Sequence, residues 1–490
     1  MMQAERAPSR DCWSTLAVIL LLALIARLAL WRTAHAAEED FFITLRYAAN
    51  IAHGHGFVYN RGERVLGATT PLYTLFLAAV IRVGLNPLMA ARAAGITGDL
   101  LAAAGAFAFC RACGHPRAGL AAAALCAAAP INLVWATKGM EVGLVAASAV
   151  WCWAWWLQGR STLAWFAAAI TVLLRIDGFA LAIVLAGATL AHQRRLPLKG
   201  LALFAVCVLP WTLYATAFFG SPMPVSVHAK LTVYAWHAAS RFPWLGRFLF
   251  EMLHNPLDLA VAAGVVAWAL FGTGAVIRSR SFRAEPELWP GVWLLLYYGA
   301  MALSKVFLFG WYFVPPSPVW YCLSALGYAR MIQRFKPPVR IPTWAPAPLC
   351  ALLLGVTLPR AAATLIVAQR AERQVRIPIG IWLRAHAAPA DTVMLEPIGY
   401  IGWYSHLRVL DTVGIVSPQV LPFYSAANPS PYHSIWQAFH PEWILLRAGE
   451  RAQLTRYELG LPASQRLASA YVRAARFPSL SPQFWLYRRR

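Results

Sequence analysis

Charged residues are scarce in this chain. Asp, Glu, Lys and Arg make up 13% of its 490 residues, whereas apolar residues make up 59% and the mean hydropathy is +0.53. A soluble domain of this size needs a larger polar surface, so the composition indicates a polytopic membrane protein. The net charge of +23 does not indicate nucleic-acid binding, because the Lys and Arg residues lie in short connectors between apolar segments.

The sequence also lacks the residue patterns of a metal site and of a disulfide framework. The eight cysteines lie mostly within apolar stretches, where Cys is a small buried hydrophobe, and they indicate no disulfide framework. Cys110-x-x-Cys113 with His115 has no second pair of ligands, and no His/Asp cluster has the spacing of a metal site. The sequence therefore requires no cofactor; a divalent metal is compatible with it but not indicated.

Long apolar segments supply about 11 candidate spans when a span is taken as about 20 residues. Basic connectors then fall on one face, which is the cytoplasmic face by the positive-inside rule. The candidate spans are residues 13–33, 88–110, 117–133, 140–157, 162–175, 179–193, 200–218, 257–277, 289–303, 313–330 and 345–367.

Two segments leave the crossing pattern open. If residues 71–84 crossed, Arg111 and Arg117 would lie outside, so we expect a helix that enters from the outer face without crossing. Residues 162–175 and 179–193 meet at Arg175-Ile176-Asp177-Gly178, either as a tight turn at the glycine or as one long apolar stretch with a buried ion pair.

The composition changes near residue 370, after which Pro, Tyr, Arg and Ser interrupt the apolar runs. Short buried strands are predicted at residues 392–395, 408–411, 443–446 and 484–487, with helices near 371–387 and 463–475. The sequence thus predicts a membrane domain, residues 1–370, with a first extracytoplasmic loop at 34–70, followed by a small extracytoplasmic α/β domain, residues 371–490.

An acidic triplet, Glu38, Glu39 and Asp40, directly follows the first apolar helix. Carboxylates beside a bilayer are costly, and apolar surroundings raise their pKa values toward those of a general base. The triplet opens the segment 38–73, EEDFFITLRYAANIAHGHGFVYNRGERVLGATTPLY.

This segment resembles the first extracytoplasmic loop of the membrane-embedded GT-C glycosyltransferases. The resemblance is strongest to the mycobacterial-type terminal arabinofuranosyltransferases, whose pattern is D-D-x-F-I-x-x-R-Y-A-x-N, then G-x-G, then G-E-R-V-x-G-x-T-x-P-L. The acidic pair here is Glu39-Asp40. The resemblance implies that one of the two is the catalytic base, and we favour Asp40, which keeps the family's residue type.

Further segments resemble elements of the same family. Residues 139–144 (GMEVGL) are similar to G-L-E-T-x-L, 174–178 (LRIDG) to L-R-P-D-G, and 220–230 (GSPMPVSVHAK) to G-S-x-x-P-N-x-x-x-A-K. Residues 396–405 and 411–415 resemble a tail segment that ends in D-x-x-G-L. The resemblance, with the polar residues near the outer face, gives these expected substrate-binding residues: Arg46, Tyr47, Asn50, Glu141, Arg175, Asp177, His228, Lys230, Lys305, Glu396 and Asp411.

Structural alternatives stay open for several of these residues. Glu141 could instead pair with Lys138, Arg175 with Asp177, and Lys230 could extend its ammonium group to water beside the membrane. The Trp and Tyr residues of segment 305–316 are most simply interfacial belt residues.

The expected fold is therefore an all-α polytopic transmembrane body of GT-C type with a small C-terminal α/β domain. The resemblance implies an inverting transferase at the outer face of the cytoplasmic membrane, with a polyprenyl-phosphate sugar as donor and a glycan, lipid or protein as acceptor. The alternative is a non-enzymatic transporter or flippase of lipid-linked sugars, which would place functional polar groups near the bilayer midplane.

Overall fold

The computed structural model describes residues 10–33, 35–194, 196–237, 256–279, 286–304, 308–335, 341–425, 427–477 and 483–490. The helices are α1 (Arg10–Thr33), α2 (Glu39–Ala52), α3 (Pro71–Arg82), α4 (Pro87–Ala112), α5 (Pro116–Ala128), α6 (Pro130–Trp135), α7 (Val142–Leu157), α8 (Ser161–Leu174), α9 (Phe179–Gln193), α10 (Leu198–Phe219), α11 (Val225–His237), α12 (Pro256–Ser279), α13 (Leu288–Ser304), α14 (Ser317–Phe335), α15 (Pro346–Ala371), α16 (Ile377–His386), α17 (Gly399–Ser405), α18 (Pro431–Phe439), α19 (Ala448–Glu458) and α20 (Leu467–Ala470).

The predicted helical body is confirmed, and each predicted span falls on a helix. Span 117–133 is divided between α5 and α6, because Pro130 cannot continue a helix from α5. By length and composition, four helical stretches of the described chain could cross a membrane: residues 10–33, 87–112, 198–219 and 346–386. The apolar stretches of the remaining apolar helices have 10 to 17 residues.

Glycine allows α4 and α7 to pack with their backbones close together. A Cβ at Gly98 would lie 2.5 Å from the carbonyl carbon of Gly143, and one at Gly95 would lie 2.6 Å from the Ala136 carbonyl oxygen. Small residues at such contacts are typical of membrane helix pairs. This contact fixes the start of α7, directly after Glu141, against α4.

A buried ion pair joins α1 to α4. Arg27 donates from Nε to Asp99 at 2.8 Å, and its guanidinium also donates to the carbonyl oxygens of Cys126 and Ala127. The Cys126 carbonyl has no helical donor four residues later, because that residue is Pro130, which lacks an N–H group. Arg27 therefore satisfies the polar backbone exposed at the end of α5.

Helix α3 has 12 residues, so at about 1.5 Å per residue it is too short for a hydrocarbon core of about 30 Å. Helices α5 and α8 are nearly as short, with 13 and 14 residues, so the crossing pattern at residues 71–84 stays a prediction. Helices α8 and α9 are separate and are joined by a 3-10 turn, Ile176–Gly178. A Cβ at Gly178 would lie 2.8 Å from the α8 backbone, so the turn requires glycine there.

The C-terminal domain contains a five-stranded mixed sheet. Its strands are β1 (Thr392–Leu395), β2 (Arg408–Asp411), β3 (Trp443–Arg447), β4 (Tyr471–Arg476) and β5 (Phe484–Arg489), in the order β2-β1-β3-β5-β4. Strand β1 pairs in parallel with β2 and β3, whereas β5 pairs antiparallel with β3 and β4. All four predicted strands and the helix near 371–387 are present.

The predicted helix near 463–475 is wrong in its second half. Ala463–Gln465 forms a 3-10 turn and Leu467–Ala470 a short α-helix, whereas Tyr471–Arg476 forms the edge strand β4. Most β4 side chains are exposed, so no continuous apolar run marks the strand, and its Ala and Arg residues favour a helix by local propensity. Pairing with β5 overrides that propensity.

The first loop packs into the core of the C-terminal domain. Tyr47, Phe57 and Tyr59 of the loop share one apolar cluster with Val393 and Trp443 of the sheet. A helical stretch also runs through residue 370, from α15 through a π-helical turn at Glu372–Arg376 into α16. Loop and C-terminal domain therefore form a joined layer over the membrane helices.

Candidate functional site

A cavity of about 550 Å³ lies where the first loop meets the membrane helices. The start of α2, the start of α3, the residues before α7, the turn between α8 and α9, and one face of α11 all contribute to its wall. Its lining residues are Asp40, Phe41, Ile43, Thr44, Gly67, Ala68, Thr69, Thr70, Tyr73, Met140, Glu141, Arg175, Ile176, Asp177, Phe179, Met223, Ser226, Val227, Lys230, Leu231, Ala300, Met301, Trp311, Tyr312 and Ile415.

Asp40 and Glu39 face different partners although they are adjacent in α2. Asp40 lines the cavity, and its carboxylate makes no hydrogen bond or ion pair with any residue that the structure describes. Burial raises the pKa of Asp40, while Lys230 opposes that shift. A buried carboxylate with a raised pKa and no partner is suited to accept a proton.

Glu39 is bonded to the C-terminal domain. Its Oε1 accepts hydrogen bonds from the backbone N–H groups of Gly399 and Tyr400, the latter at 3.2 Å, and its Oε2 lies 3.6 Å from Nη1 of Arg376. Burial raises the pKa of Glu39 to about 7, while Arg376 lowers it. Glu39 is not among the residues that line the cavity. Asp40 therefore faces the cavity, whereas Glu39 joins α2 to the C-terminal domain.

Arg175 is held between two carboxylates. It donates to both oxygens of Asp177, at 2.9 to 3.2 Å, and from Nη1 to Glu141 at 3.1 Å. The Tyr297 hydroxyl also donates to Asp177, at 3.3 Å. The guanidinium charge is therefore compensated within the cavity wall. The alternative pairing of Glu141 with Lys138 is wrong, because Lys138 lies 2.5 Å from Glu38.

Lys230 is the other cation of the cavity wall. Its ammonium group lies 5.6 Å from the ring centre of Phe309 and 5.9 Å from that of Trp311. Burial lowers the pKa of Lys230, but Tyr312 and Asp40 raise it, and the net shift is upward. Lys230 therefore stays protonated beside Asp40.

The first-loop residues predicted to bind substrate lie outside the cavity lining. Arg46 donates to the carbonyl oxygens of Tyr59, Gly402 and Leu407 at 2.7 to 3.0 Å. Tyr47 donates to the Val65 carbonyl at 2.7 Å, and Asn50 donates to the carbonyls of Val58 and Tyr59 at 2.8 and 3.0 Å. These bonds shape the loop and fasten it to the C-terminal domain.

The two acidic tail residues also lie away from the cavity lining. Glu396 pairs with Arg447. Asp411 is fully buried and accepts from the N–H groups of Val413 and Val416 at 2.9 and 3.1 Å. Burial raises the pKa of Asp411 to about 6, and these N–H groups oppose the shift. Asp411 therefore shapes the turn that brings Ile415 to the cavity.

The remaining predicted residues are His228 and Lys305. His228 is exposed and does not line the cavity, because it lies two positions from Lys230 and so faces another side of α11. Lys305 lies outside the described residues.

Sequence reasoning missed several residues of the cavity wall. Thr70 and Ser226 lie within recognised segments but at variable positions of the patterns, so no signal singles out either residue. The interpretation of Trp311 as a membrane-belt residue is wrong: it is buried, stacks on Phe309 with ring centres 4.3 Å apart and lines the cavity beside Tyr312.

An apolar groove of about 600 Å³ adjoins this cavity, and Tyr73 lines both. Helices α3, α4, α7 and α8 form its walls. The groove residues are Leu72, Tyr73, Phe76, Leu101, Leu144, Ala147, Ser148, Trp151, Trp155, Phe166, Ala167, Ile170 and Leu174. Its surface suits an apolar chain. Within the described ranges, no cluster of three or more His, Cys, Asp or Glu side chains could hold a metal ion.

The chain was compared with known sequences and structures. Residues 365–487 match the family described as "Domain of unknown function (DUF8728)". No curated protein sequence matches the chain.

Solved structures match nearly the whole chain. ArnT from Cupriavidus metallidurans bound to undecaprenyl phosphate is 15% identical, with 98% of each chain covered and a TM-score of 0.57. The archaeal oligosaccharyltransferase AglB from Archaeoglobus fulgidus, in complex with an inhibitory peptide and a dolichol-phosphate, is 15% identical, with 89% of this chain and 69% of that chain covered and a TM-score of 0.55. The chain therefore has a GT-C-like fold, in which a mostly helical, membrane-type body carries a C-terminal mixed five-stranded sheet domain.

Proposed function

We propose that this chain is an inverting glycosyltransferase that moves a sugar from a polyprenyl phosphate to an acceptor hydroxyl. The observation that carries the proposal is the pairing, in one cavity, of the unbonded carboxylate of Asp40 with the protonated ammonium group of Lys230, directly beside an apolar groove. Base, phosphate-binding cation and lipid groove are the three parts that such a reaction needs. The fold shared with ArnT and AglB supports the same reaction class.

In the proposed reaction, Asp40 accepts the proton of the acceptor hydroxyl. The acceptor oxygen forms a bond to the anomeric carbon from the face opposite the lipid phosphate, and the bond from that carbon to the phosphate oxygen breaks. The phosphate leaves with the bonding electron pair, so the configuration at the anomeric carbon inverts. Lys230 stabilises the charge that develops on the phosphate.

The Arg175 cluster has a positioning role in this proposal. Its two carboxylates, Glu141 and Asp177, already compensate the guanidinium, so Arg175 holds the wall of the cavity and leaves Lys230 as the main phosphate partner. A buried, fully bonded cluster of this kind fixes geometry more than it adds stability.

The cellular setting is part of the proposal. The positive-inside rule, applied to basic connectors such as the one containing Arg194 and Lys199, supports an assignment of the cavity and the C-terminal domain to the outer face of the cytoplasmic membrane. A lipid-linked donor suits that face because nucleotide sugars are confined to the cytoplasm. The donor sugar is a pentose or a hexose, and the acceptor is a glycan, a lipid or a protein. No metal is needed, since the lipid phosphate is already a stable anionic leaving group.

Lys230→Ala is expected to weaken binding of the polyprenyl-phosphate sugar by roughly 10- to 100-fold, because the phosphate loses a charge-assisted hydrogen bond of about 1.5–3 kcal/mol. Acceptor affinity should change less. Donor titration into purified protein measures both. Lys199→Ala, which removes an exposed lysine outside the cavity, is the matched control. A folded Lys230→Ala protein with unchanged donor affinity would show that Lys230 does not bind the donor phosphate.

The rate of transfer is expected to fall as the pH is lowered, with an apparent pKa above the ordinary Asp value of about 3.9, because Asp40 must be ionised and burial raises its pKa. Lys230, with its pKa raised, remains charged throughout this range. The dependence of kcat/KM on pH tests this. The Glu39→Gln variant should show the same fall in kcat/KM as the pH is lowered. If that fall disappears in Glu39→Gln, the titrating group is Glu39.

A further inference from the structure

Helix α3 begins at the cavity with unused hydrogen-bond donors. Thr70 is its N-cap residue, but the Thr70 side chain does not cap the helix, and Pro71 at the next position has no N–H group. The N–H groups of Leu72 and Tyr73 have no hydrogen-bond partner among the described residues. The positive end of a 12-residue helix is therefore left open at the cavity wall.

Two buried hydroxyl groups beside it also lack partners. Thr70 is 5% exposed and Ser226 is 3% exposed, both line the cavity, and neither Oγ1 of Thr70 nor Oγ of Ser226 bonds to any part of the chain that the structure describes. A buried hydroxyl without a partner costs about 1–3 kcal/mol. A ligand in the cavity would supply the missing partners.

The charge of the surrounding residues favours an anion as that ligand. Ser226 lies four residues before Lys230 on α11, so both side chains lie on one face of the helix. Lys230 interacts with Tyr312 and lies near the single carboxylate of Asp40, whereas Arg175 is held by two carboxylates. Hydroxyl donors, free N–H groups and an ammonium group together suit the oxygens of a phosphate.

We propose that the start of α3, with Thr70, Ser226 and Lys230, is the subsite that holds the phosphate of the lipid donor. This proposal rests on the proposed function. When the sugar leaves, the phosphate changes from a diester to a monoester and gains negative charge, so these donors bind the transition state more strongly than the ground state. Leu72 and Tyr73 also line the apolar groove, so one helix would bind the phosphate at its start and the lipid chain along its side.

The test measures binding and stability in the full-length protein with Thr70→Val and Ser226→Ala. The probes are undecaprenyl phosphate and undecaprenol, which differ only in the phosphate. Each substitution is expected to weaken binding of undecaprenyl phosphate by roughly tenfold, the worth of a hydrogen bond to a charged group, and to leave undecaprenol binding unchanged.

Stability should change in the opposite direction. Removing a hydroxyl that has no partner should leave the unfolding temperature of the ligand-free protein unchanged or raise it. Thr212→Val is the control, because the Thr212 hydroxyl already donates to the Val208 carbonyl at 3.1 Å outside the cavity lining. That variant should bind undecaprenyl phosphate like the wild type.

The outcomes separate the two proposals. If wild-type protein does not bind undecaprenyl phosphate, the proposed function fails and this subsite with it. If wild-type protein binds but both variants bind equally well, the subsite is rejected and the proposed function stands. Equal loss of affinity for undecaprenol and its phosphate would also reject the subsite. If Thr70→Val does not fold, Ser226→Ala alone decides.

Discussion

Replacing Asp40 by Asn is expected to lower the rate of sugar transfer by about 10²- to 10⁴-fold, the usual worth of a general base. Asn keeps the size of the side chain but cannot accept the acceptor proton. Asp40 has no bond within the described chain that the substitution would break, so folding and donor binding should be retained. The measurement is the release of free polyprenyl phosphate from the sugar-loaded donor when acceptor is added.

Glu39→Gln is the matched control for this experiment. Gln keeps the side-chain oxygen that accepts from Gly399 and Tyr400, so the contact with the C-terminal domain persists and most of the rate should remain. An active Asp40→Asn enzyme with an inactive Glu39→Gln enzyme would reverse the two roles. Normal rates in both variants would remove the general-base role from this acidic pair.

Arg46→Ala is expected to lower the free energy of unfolding by about 3 kcal/mol or more. The substitution leaves the carbonyl oxygens of Gly402, Leu407 and Tyr59 without their charged donor, and each such hydrogen bond is worth about 1.5–3 kcal/mol. Thermal unfolding of the purified protein measures the loss. Transfer should slow as well, since α2 carries both Arg46 and Asp40.

Arg61→Ala, an exposed position on the same loop, is the control and should unfold like the wild type. If Arg46 binds substrate, as the sequence pattern predicts, the Arg46→Ala variant would instead have a raised KM and an unchanged unfolding temperature. That result would contradict the structural role assigned here.

The architecture was largely predictable because hydropathy marks membrane helices and short continuous apolar runs mark buried strands. The helices α1, α4 and α10 and the strands β1, β2, β3 and β5 follow from such patterns. Strand β4 does not, because an exposed edge strand carries no continuous apolar run.

The site was predictable as a region but not residue by residue. Glu39 and Asp40 are neighbours in sequence, yet successive residues of a helix point about 100° apart, and only the position of α17 shows that Glu39 meets the C-terminal domain while Asp40 meets the cavity. The recognised pattern around Arg46 includes residues that contact the C-terminal domain as well as residues of the cavity. Ser226 becomes visible only as a buried hydroxyl without a partner.

The most direct test of the central claim is mass spectrometry of the lipid that co-purifies with the Asp40→Asn protein. The account predicts a polyprenyl monophosphate that carries one sugar, held because the donor binds but cannot react, and its loss when Lys230→Ala is added. The mass of the sugar would identify the donor at the same time. Recovery of bulk phospholipid alone, or of a sugar joined through a diphosphate, would contradict the account.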